Sequence, residues 1–327
     1  TLTSAWIPVE LTGTLDGQGH VISGLSVSAG DDAGMFSSLA ADATLKNITV
    51  EGSVTLTAEQ HPAQAGLVAN LYGTMYKVVS RVAVTASSEK GACYMGGLVG
   101  QLSDGSIIEC SNEGCLTLHQ TVGKGYIGGA AGVVYPAGLV DKCVNTGSII
   151  TESGNTDGLG GVVGLQQGGD VKGCTDEGKL SVNAGRLSCH VGGVVGTLYN
   201  YTSKAAKVSE CINRGGLEIS APSMQAVGGV VGGIIDGGGE VSAPAEVSEC
   251  ENHVPVSVKV GKTAGDSGLD GFYLGGIVGS IDALNESLIV NVVRNCRNTG
   301  DLHATLSSDA GANNAVKVGG ICGNTRG

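Results

Sequence analysis

The chain has 327 residues, a net charge of −12, 57 glycines and only 3% aromatic residues. A core with so few large aromatics has to be thin and filled by Val, Ile, Leu, Ala and Cys, and the scattered Lys and Arg form no basic stripe, which argues against nucleic acid and anionic membranes as partners. No apolar run reaches the roughly 18 residues that a membrane-spanning helix needs, so we expect no membrane insertion by this segment.

Residues 1–12 precede the repetitive part of the chain and include Trp6. They are predicted to form an N-terminal cap, because the open end of a repeat structure needs a cover. The chain starts at Thr1 with neither a Met nor a charged-then-apolar leader, from which we expect a processed or trimmed fragment. The last coil is unfinished after Gly323, so we expect the natural protein to continue.

Residues 13–95 are predicted to form three diverged coils of a solenoid. Each coil has an apolar triplet with the spacing of a motif that is more regular further along the chain. The triplets are Ile22, Leu25 and Val27; Leu45, Ile48 and Val50; and Val79, Val82 and Val84.

Residues 96–327 contain paired glycines inside apolar runs. The intervals between them are 32, 32, 32, 36, 47 and 44 residues, and the pairs begin at Gly96, Gly128, Gly160, Gly192, Gly228, Gly275 and Gly319. A fixed period that later lengthens is typical of a solenoid whose coils have accepted insertions. The glycines themselves are predicted to lie where a corner or a close backbone approach excludes side chains.

A second motif, apolar-x-x-Cys-x-Asn/Asp-x-Gly, follows the paired glycines. It produces two predicted internal columns: Cys110, Cys143, Cys174, Cys211, Cys250 and Cys296, and Asn112, Asn145, Asp176, Asn213, Asn252 and Asn298. Because the diverged coils have aliphatic residues at the Cys position, we interpret the cysteines as small buried apolar residues, with no metal and no required disulfide. The amides are predicted to hydrogen-bond from coil to coil.

Strictly alternating apolar residues, such as Leu116 and Leu118, follow each copy of the Cys motif and indicate strands with one buried face. Three short strands per repeat predict an all-β chain. The predicted fold is a parallel β-helix of about nine coils plus a partial tenth, as one solenoid over residues 13–327.

Insertions in coils seven to nine mark the candidate ligand-binding positions. Corners at equivalent places in consecutive coils stack, so these loops are expected to lie side by side. The candidate residues are Tyr199, Tyr201, Lys204, Lys207, Asp266 and Asp270.

The Gly97-Leu98-Val99-Gly100 core, with variants such as Gly161-Val162-Val163-Gly164, resembles the GLUG repeat family of bacterial surface and secreted proteins. The resemblance implies a right-handed parallel β-helix at the cell surface or outside the cell, often adhesin-like. Some relatives carry a metallopeptidase, whose His-Glu-x-x-His motif is absent from this sequence.

These observations favour a non-enzymatic adhesion, display or stalk module that binds a host protein or a glycan, as a monomeric rod without a cofactor or a catalytic residue. A polysaccharide lyase or glycoside hydrolase is the alternative, since many parallel β-helices cleave polysaccharides. The acids considered for such a site are the adjacent Asp31 and Asp32, and Asp16, which shares the first coil with His20. A purely structural spacer is the second alternative.

Overall fold

The computed structural model describes residues 1–58, 62–88, 91–121, 123–152, 156–183, 189–200, 203–221, 226–236, 243–260, 272–283, 290–306 and 316–326. These residues form β-strands and no helix, and every strand pair among them is parallel. Register shifts interrupt a few of the pairings, such as β3 with β5. No helix among them has the length and hydropathy to cross a membrane.

The first three coils contain long, bent strands. In chain order the strands are β1 (Val9–Leu11), β2 (Thr14–Asp16), β3 (Val21–Ala29), β4 (Phe36–Leu39), β5 (Thr44–Ala58), β6 (Ala63–Ala65), β7 (Val68–Leu71), β8 (Thr74–Ser88) and β9 (Cys93–Gly96).

The next three coils divide the long strand into three short segments. Their strands are β10 (Val99–Leu102), β11 (Ser106–Ile108), β12 (Ser111–Asn112), β13 (Leu116–Thr121), β14 (Gly125–Gly128), β15 (Ala131–Val134), β16 (Leu139–Asp141), β17 (Val144–Asn145), β18 (Ile149–Thr151), β19 (Thr156–Gly160), β20 (Val163–Gln166), β21 (Gly169–Lys172), β22 (Thr175–Asp176), β23 (Leu180–Asn183) and β24 (His190–Gly192).

The last coils repeat the same arrangement. Their strands are β25 (Val195–Asn200), β26 (Ala206–Ser209), β27 (Ile212–Asn213), β28 (Leu217–Ala221), β29 (Ala226–Gly228), β30 (Val231–Asp236), β31 (Glu246–Ser248), β32 (Glu251–Asn252), β33 (Val256–Val260), β34 (Phe272–Gly275), β35 (Val278–Ala283), β36 (Val292–Arg294), β37 (Arg297–Asn298), β38 (Leu302–Leu306), β39 (Val316–Gly319) and β40 (Cys322–Arg326).

The strands assemble into three parallel sheets. Sheet A contains ten strands, β1, β4, β7, β10, β15, β20, β25, β30, β35 and β40, and sheet C contains eight, β6, β9, β14, β19, β24, β29, β34 and β39. The remaining strands form sheet B, in nine layers. Each coil runs through sheet A, then B, then C, although the first coil reaches sheet C only through an isolated bridge between Ala33 and Ala65. This gives nine coils and the first strand of a tenth. The predicted parallel β-helix is therefore confirmed.

Equivalent positions of successive coils lie in register. Gly96 pairs with Gly128 and Gly128 with Gly160 in sheet C, and Asn112 pairs with Asn145 in sheet B. The paired glycines do not lie within a single strand, however. Each pair forms the corner between a sheet C strand and the following sheet A strand, so Leu98 is buried at that corner and Val99 and Leu102 both face the core.

The apolar triplets predicted for two of the diverged coils are wrong. In the third coil, Met75 pairs with Ile107 and Ser80 with Asn112. The apolar, Cys and Asn positions of the motif are therefore occupied by Met75, Val78 and Ser80, and not by Val79, Val82 and Val84. In the first coil, Leu15 occupies the apolar position of the motif and Ile22 occupies the Asn position. The triplet Leu45, Ile48 and Val50 in the second coil matches this register.

Residues 1–12 lie against the first coil. The backbone N–H of Leu2 donates to the Ser23 carbonyl at 2.7 Å, and the Trp6 indole Nε1 donates to the Met35 carbonyl at 2.8 Å. Val9–Leu11 form β1 and pair with β4, so the end of this segment is itself the first strand of sheet A.

Candidate functional site

The Asn/Asp column lies inside the coil, at a bend of sheet B. The Asn112 amide donates to Oδ1 of Asn145 at 2.8 Å and also to the Gly114 carbonyl at 3.0 Å. Further along, the Asn213 amide donates to Asn252 at 2.8 Å, and Asn252 donates to Asn298 at 2.7 Å. These bonds satisfy buried polar groups where the chain turns, which is a structural task.

Asp176 is the one acid in this column. It is fully buried and accepts a bond from the Asn145 amide at 2.8 Å, but its Oδ2 has no hydrogen-bond partner. Burial raises the pKa of Asp176 to about 8, although the Asn145 bond acts in the opposite direction. Asp176 is therefore mainly protonated at neutral pH.

The second glycine of each pair leaves room for this column. A Cβ on Gly161 would lie 2.2 Å from Cγ of Asp176, and one on Gly97 would lie 2.2 Å from Cγ of Asn112. Neither glycine has a positive φ. Close approach, and not backbone conformation, is thus the reason that glycine occurs at this position.

The column cysteines also face the interior, and all ten cysteines are unbridged in the structure. The Cys143 thiol donates to the Ile107 carbonyl of the preceding coil at 3.4 Å, and its backbone N–H donates to Sγ of Cys174 at 3.4 Å. Burial raises the pKa of the Cys174 thiol well above its ordinary value. No group of three or more His, Cys, Asp or Glu side chains in the described residues is arranged to hold a metal ion.

A cleft lies outside the coil, where the outer faces of sheets A and C turn toward each other across the paired-glycine corner. The last glycine of the Gly-Gly-x-x-Gly motif permits this approach, since a Cβ on Gly164 would lie 2.4 Å from the backbone N of Ile127 in the facing sheet. The cleft has a volume of about 510 Å³ and is lined by Lys124, Tyr126, Asp157, Leu165, Gln167, His190, Thr197, Tyr199, Ile235 and Asp282. We call it the A/C cleft.

Aromatic side chains form one wall of the A/C cleft. Tyr126 of sheet C packs with Val133 and Leu165 of sheet A in a small apolar cluster outside the main core, and Tyr199 packs against that cluster. The Tyr94 and Tyr126 rings have centroids 5.9 Å apart. Tyrosine rings of this kind offer both an apolar face and a polar edge to a ligand.

Asp157 reaches the A/C cleft from a bulge in β19. The pairing of β14 with β19 shifts register so that Tyr126 pairs with Gly158, which leaves Asp157 as the extra residue. Its Oδ2 is buried without a hydrogen-bond partner. Burial raises the pKa of Asp157 to about 6, and the charge of Lys124 acts in the opposite direction. Bulges often re-aim a side chain in this way next to a binding site.

His190 lies on the neighbouring strand, β24, and is 2% exposed. Its ring fits against Gly233, where a Cβ would lie 2.2 Å from Cδ2 of the imidazole. Nδ1 lies 3.4 Å from Oγ1 of Thr197, whereas Nε2 is buried and has no partner. Burial lowers the pKa of His190 to about 4, so the imidazole is neutral at physiological pH.

Asp282 adds a second carboxyl group to the A/C cleft. It is 7% exposed, and Oγ of Ser280 donates to its Oδ2 at 2.9 Å. Two acids and one lysine therefore line the cleft.

A larger depression of about 830 Å³ covers the outer face of sheet B and includes Ser181, Glu218 and Lys259. None of its lining residues has a buried side-chain N or O atom without a partner. The A/C cleft has two such atoms, and an unsatisfied buried polar group costs folding free energy that a ligand can recover. The A/C cleft is therefore the stronger candidate site.

The candidate ligand-binding residues from the sequence do not all meet. Tyr199 lines the A/C cleft, but Lys207 lies on β26 in sheet B, and Lys204 is exposed in the connection before β26. The predictions on Tyr201, Asp266 and Asp270 lie outside the described residues.

The first-coil acid considered for an enzyme is held by its neighbours. Asp16 accepts a bond from the Asn47 amide at 3.1 Å and forms an ion pair with Lys46 at 3.3 Å. The Asn47 bond and the Gln18 N–H lower the pKa of this exposed carboxyl group. The arrangement ties the first coil to the second.

Sequence reasoning did not identify Asp157 or pair it with His190. The two residues are 33 positions apart, and each was an isolated acid or histidine in the sequence. A signal did exist in the column Tyr94, Tyr126, Gly158 and His190, in which a glycine interrupts a series of large side chains.

Comparison with known proteins gives one partial similarity. The chain is 29% identical to Halomucin of Haloquadratum walsbyi over 143 residues, which is 43% of this chain but only 2% of Halomucin. No family model matches the sequence, and no solved structure matches this chain.

Proposed function

We propose that this chain is a non-enzymatic binding and display module of a bacterial cell-surface or secreted protein, and that it holds a glycan in the A/C cleft. The observation that carries the proposal is the combination of Tyr126 and Tyr199 with two buried, unpartnered polar atoms of Asp157 and His190. Sugar rings stack their apolar faces on aromatic rings and offer hydroxyl groups to buried acceptors.

The location at a cell surface has two supports. One is the partial similarity to Halomucin, and the other is the resemblance of the Gly-Leu-Val-Gly cores to the GLUG repeats of surface and secreted proteins. The net charge of −12 further disfavours nucleic acid as the partner. The cleft itself argues against a spacer, whose surface needs no concave site.

A glycan array, together with a pull-down from host extracellular matrix, tests this function. The matched variants are Tyr199→Ala, which removes a ring from the cleft, and Tyr72→Ala, which removes an exposed ring just after β7. We expect a glycan hit that Tyr199→Ala weakens about tenfold and Tyr72→Ala leaves unchanged. Absence of any hit, or equal effects of both variants, would contradict the proposal.

Cleavage of a polysaccharide is the second candidate, and one observation favours it. Asp157, with its pKa raised to about 6, shares the A/C cleft with Asp282, and glycosidases use a pair of carboxyl groups, one of them an acid with a raised pKa. Release of reducing ends from a glycan that binds in the array would favour the enzyme. Binding without release favours the display module.

A further inference from the structure

The two unpartnered atoms of the A/C cleft are both hydrogen-bond acceptors. Thr197 has one hydroxyl proton, and it donates to the Asp157 carbonyl at 3.1 Å. Its oxygen can therefore only accept from Nδ1 of His190 at 3.4 Å, so the ring proton is assigned to Nδ1. Nε2 then carries a lone pair, as does Oδ2 of Asp157.

Such a pair of acceptors selects its ligand by hydrogen-bond donors. A single hydroxyl group has one proton and can satisfy one acceptor, whereas a primary ammonium group has three and can satisfy both from one position. The ammonium also carries the charge that complements the Asp157 carboxylate, and charge-assisted hydrogen bonds are stronger than neutral ones.

The surroundings of the two acceptors fit a small cationic group. Asp282 adds a second carboxyl group, and the Tyr126 and Tyr199 rings offer faces to a cation or to the apolar face of a sugar. Lys124 is the opposing charge, but its side chain is exposed and can stay in water. Gly158 lies between the Tyr126 and His190 positions of sheet C. It lets Thr197 and the Tyr126 ring pack close together, since a Cβ there would lie 2.9 Å from Oγ1 of Thr197 and 3.0 Å from Cδ1 of Tyr126.

We infer that the A/C cleft prefers a glycan carrying a free primary amino group, which donates to Oδ2 of Asp157 and to Nε2 of His190. This inference rests on the proposed glycan-binding function and specifies its ligand class. An N-acetylated sugar would place an amide with one donor at the same position, and a neutral sugar would place a hydroxyl group there.

The test compares three oligosaccharides of equal length and linkage, made of glucosamine, N-acetylglucosamine and glucose, by calorimetry at pH 6.5 and 0.15 M salt. We expect the glucosamine oligomer to bind about tenfold more tightly than the other two, as one charge-assisted hydrogen bond allows. Asp157→Asn should abolish this preference. Asp170→Asn, the same change at an exposed position of sheet B, should preserve it.

The Lys124→Gln variant provides a second measurement that does not depend on the folding of Asp157→Asn. Removing the competing cation should tighten glucosamine binding severalfold and leave N-acetylglucosamine binding unchanged. Equal binding of all three oligomers to the native chain would overturn the amino-group preference while the glycan-binding function stands. Binding of none of them, with an empty glycan array, would overturn the proposed function itself.

Discussion

The Asn145 amide donates a 2.8 Å hydrogen bond to Oδ1 of Asp176, but the other oxygen of that carboxyl group has no partner. In the amide members of the column, the equivalent atom is an NH₂ that donates onward, as Asn213 does to Asn252. A Cβ on Gly215 would lie 2.2 Å from Oδ2 of Asp176, and one on Gly178 would lie 2.6 Å from Nδ2 of Asn145, so the two atoms occupy equivalent places. Only the protonated acid can donate there.

Asp176→Asn is therefore expected to stabilise the fold. The pKa of Asp176 is about 8 in the folded chain, compared with 3.8 for an ordinary Asp side chain, as in the unfolded chain. The contribution of Asp176 to stability therefore falls as pH rises from about 4 to about 8 and is constant above that. The gain at pH 7 should be on the order of 2 to 4 kcal/mol. Denaturant unfolding at pH 4 and pH 8 measures it, with Asp170→Asn as the control.

The outcome that contradicts this reading is equal stability of the native chain and Asp176→Asn at pH 8. A gain of the same size at pH 4 would also contradict it, because pH 4 is close to the ordinary Asp pKa of 3.8. At that pH the folded chain keeps Asp176 as a neutral acid, and ionisation stabilises the unfolded state only slightly.

Gly161→Ala should destabilise the chain by about 2 to 4 kcal/mol. The new Cβ would lie 2.2 Å from Cγ of Asp176 and 2.3 Å from the Gly193 carbonyl, and neither neighbour can move without breaking the column or the coil. Gly320→Ala is the matched control, because Gly320 is the second glycine of the last pair and a Cβ there meets nothing within 4 Å. Thermal unfolding of the two variants measures the difference. Equal shifts in melting temperature would show that contact with the Asn/Asp column is not the reason that glycine occurs at position 161.

The repeat period was sufficient to predict the fold. Spacing of 32 residues between glycine pairs predicted the pairing of Gly96 with Gly128, and the i, i+2 relation between Cys110 and Asn112 placed both side chains inside the coil. These properties repeat along the chain, so the amino-acid sequence alone is enough to detect them.

The register of the third coil was not predictable in the same way. Alternating apolar residues run through all of Thr74–Ser88, and a shift of four positions keeps the same parity. Lys77, with a φ of 51°, bends the strand and determines which residue enters the Cys slot. The close approach of sheets A and C recurs with the Gly-Gly-x-x-Gly motif, but the A/C cleft also depends on the bulge at Asp157, which no repeated pattern in the sequence marks.

The column thiols should be inert in the folded chain. Cys110 and Cys174 are buried, and burial raises the pKa of Cys110 to about 12, whereas a thiol reacts as the thiolate. We expect the aromatic disulfide reagent DTNB to modify the partly exposed Cys115 first, and the buried column cysteines, Cys110, Cys143, Cys174, Cys211 and Cys250, only after unfolding.

Replacement of a column thiol by an aliphatic side chain should also be mild. Val78 occupies the same slot one coil before Cys110, so Cys174→Val is expected to cost about 1 kcal/mol, from two weak thiol hydrogen bonds and a small change of shape. A loss well beyond about 3 kcal/mol in denaturant unfolding would indicate that the thiols bind something or cross-link the coils.

Asp157 should trade stability for binding. Its pKa is about 6 in the folded chain and 3.8 otherwise, so its contribution to stability falls between about pH 4 and pH 6, and Asp157→Asn should be more stable than the native chain at pH 7. We expect the free energy of unfolding to rise by about 1 kcal/mol in this variant. This is less than the pKa difference alone implies, because the Asp157 side chain is partly exposed and solvent screens its charge. Binding of an amino sugar should behave in the opposite way: it should be constant from pH 7 upward to the pKa of the sugar amine, weaken as pH falls through 6, and be about tenfold weaker in the variant. A side chain that served only the fold would lower stability when replaced, so a variant that loses both stability and binding would assign Asp157 to structure and leave the cleft without its anionic acceptor.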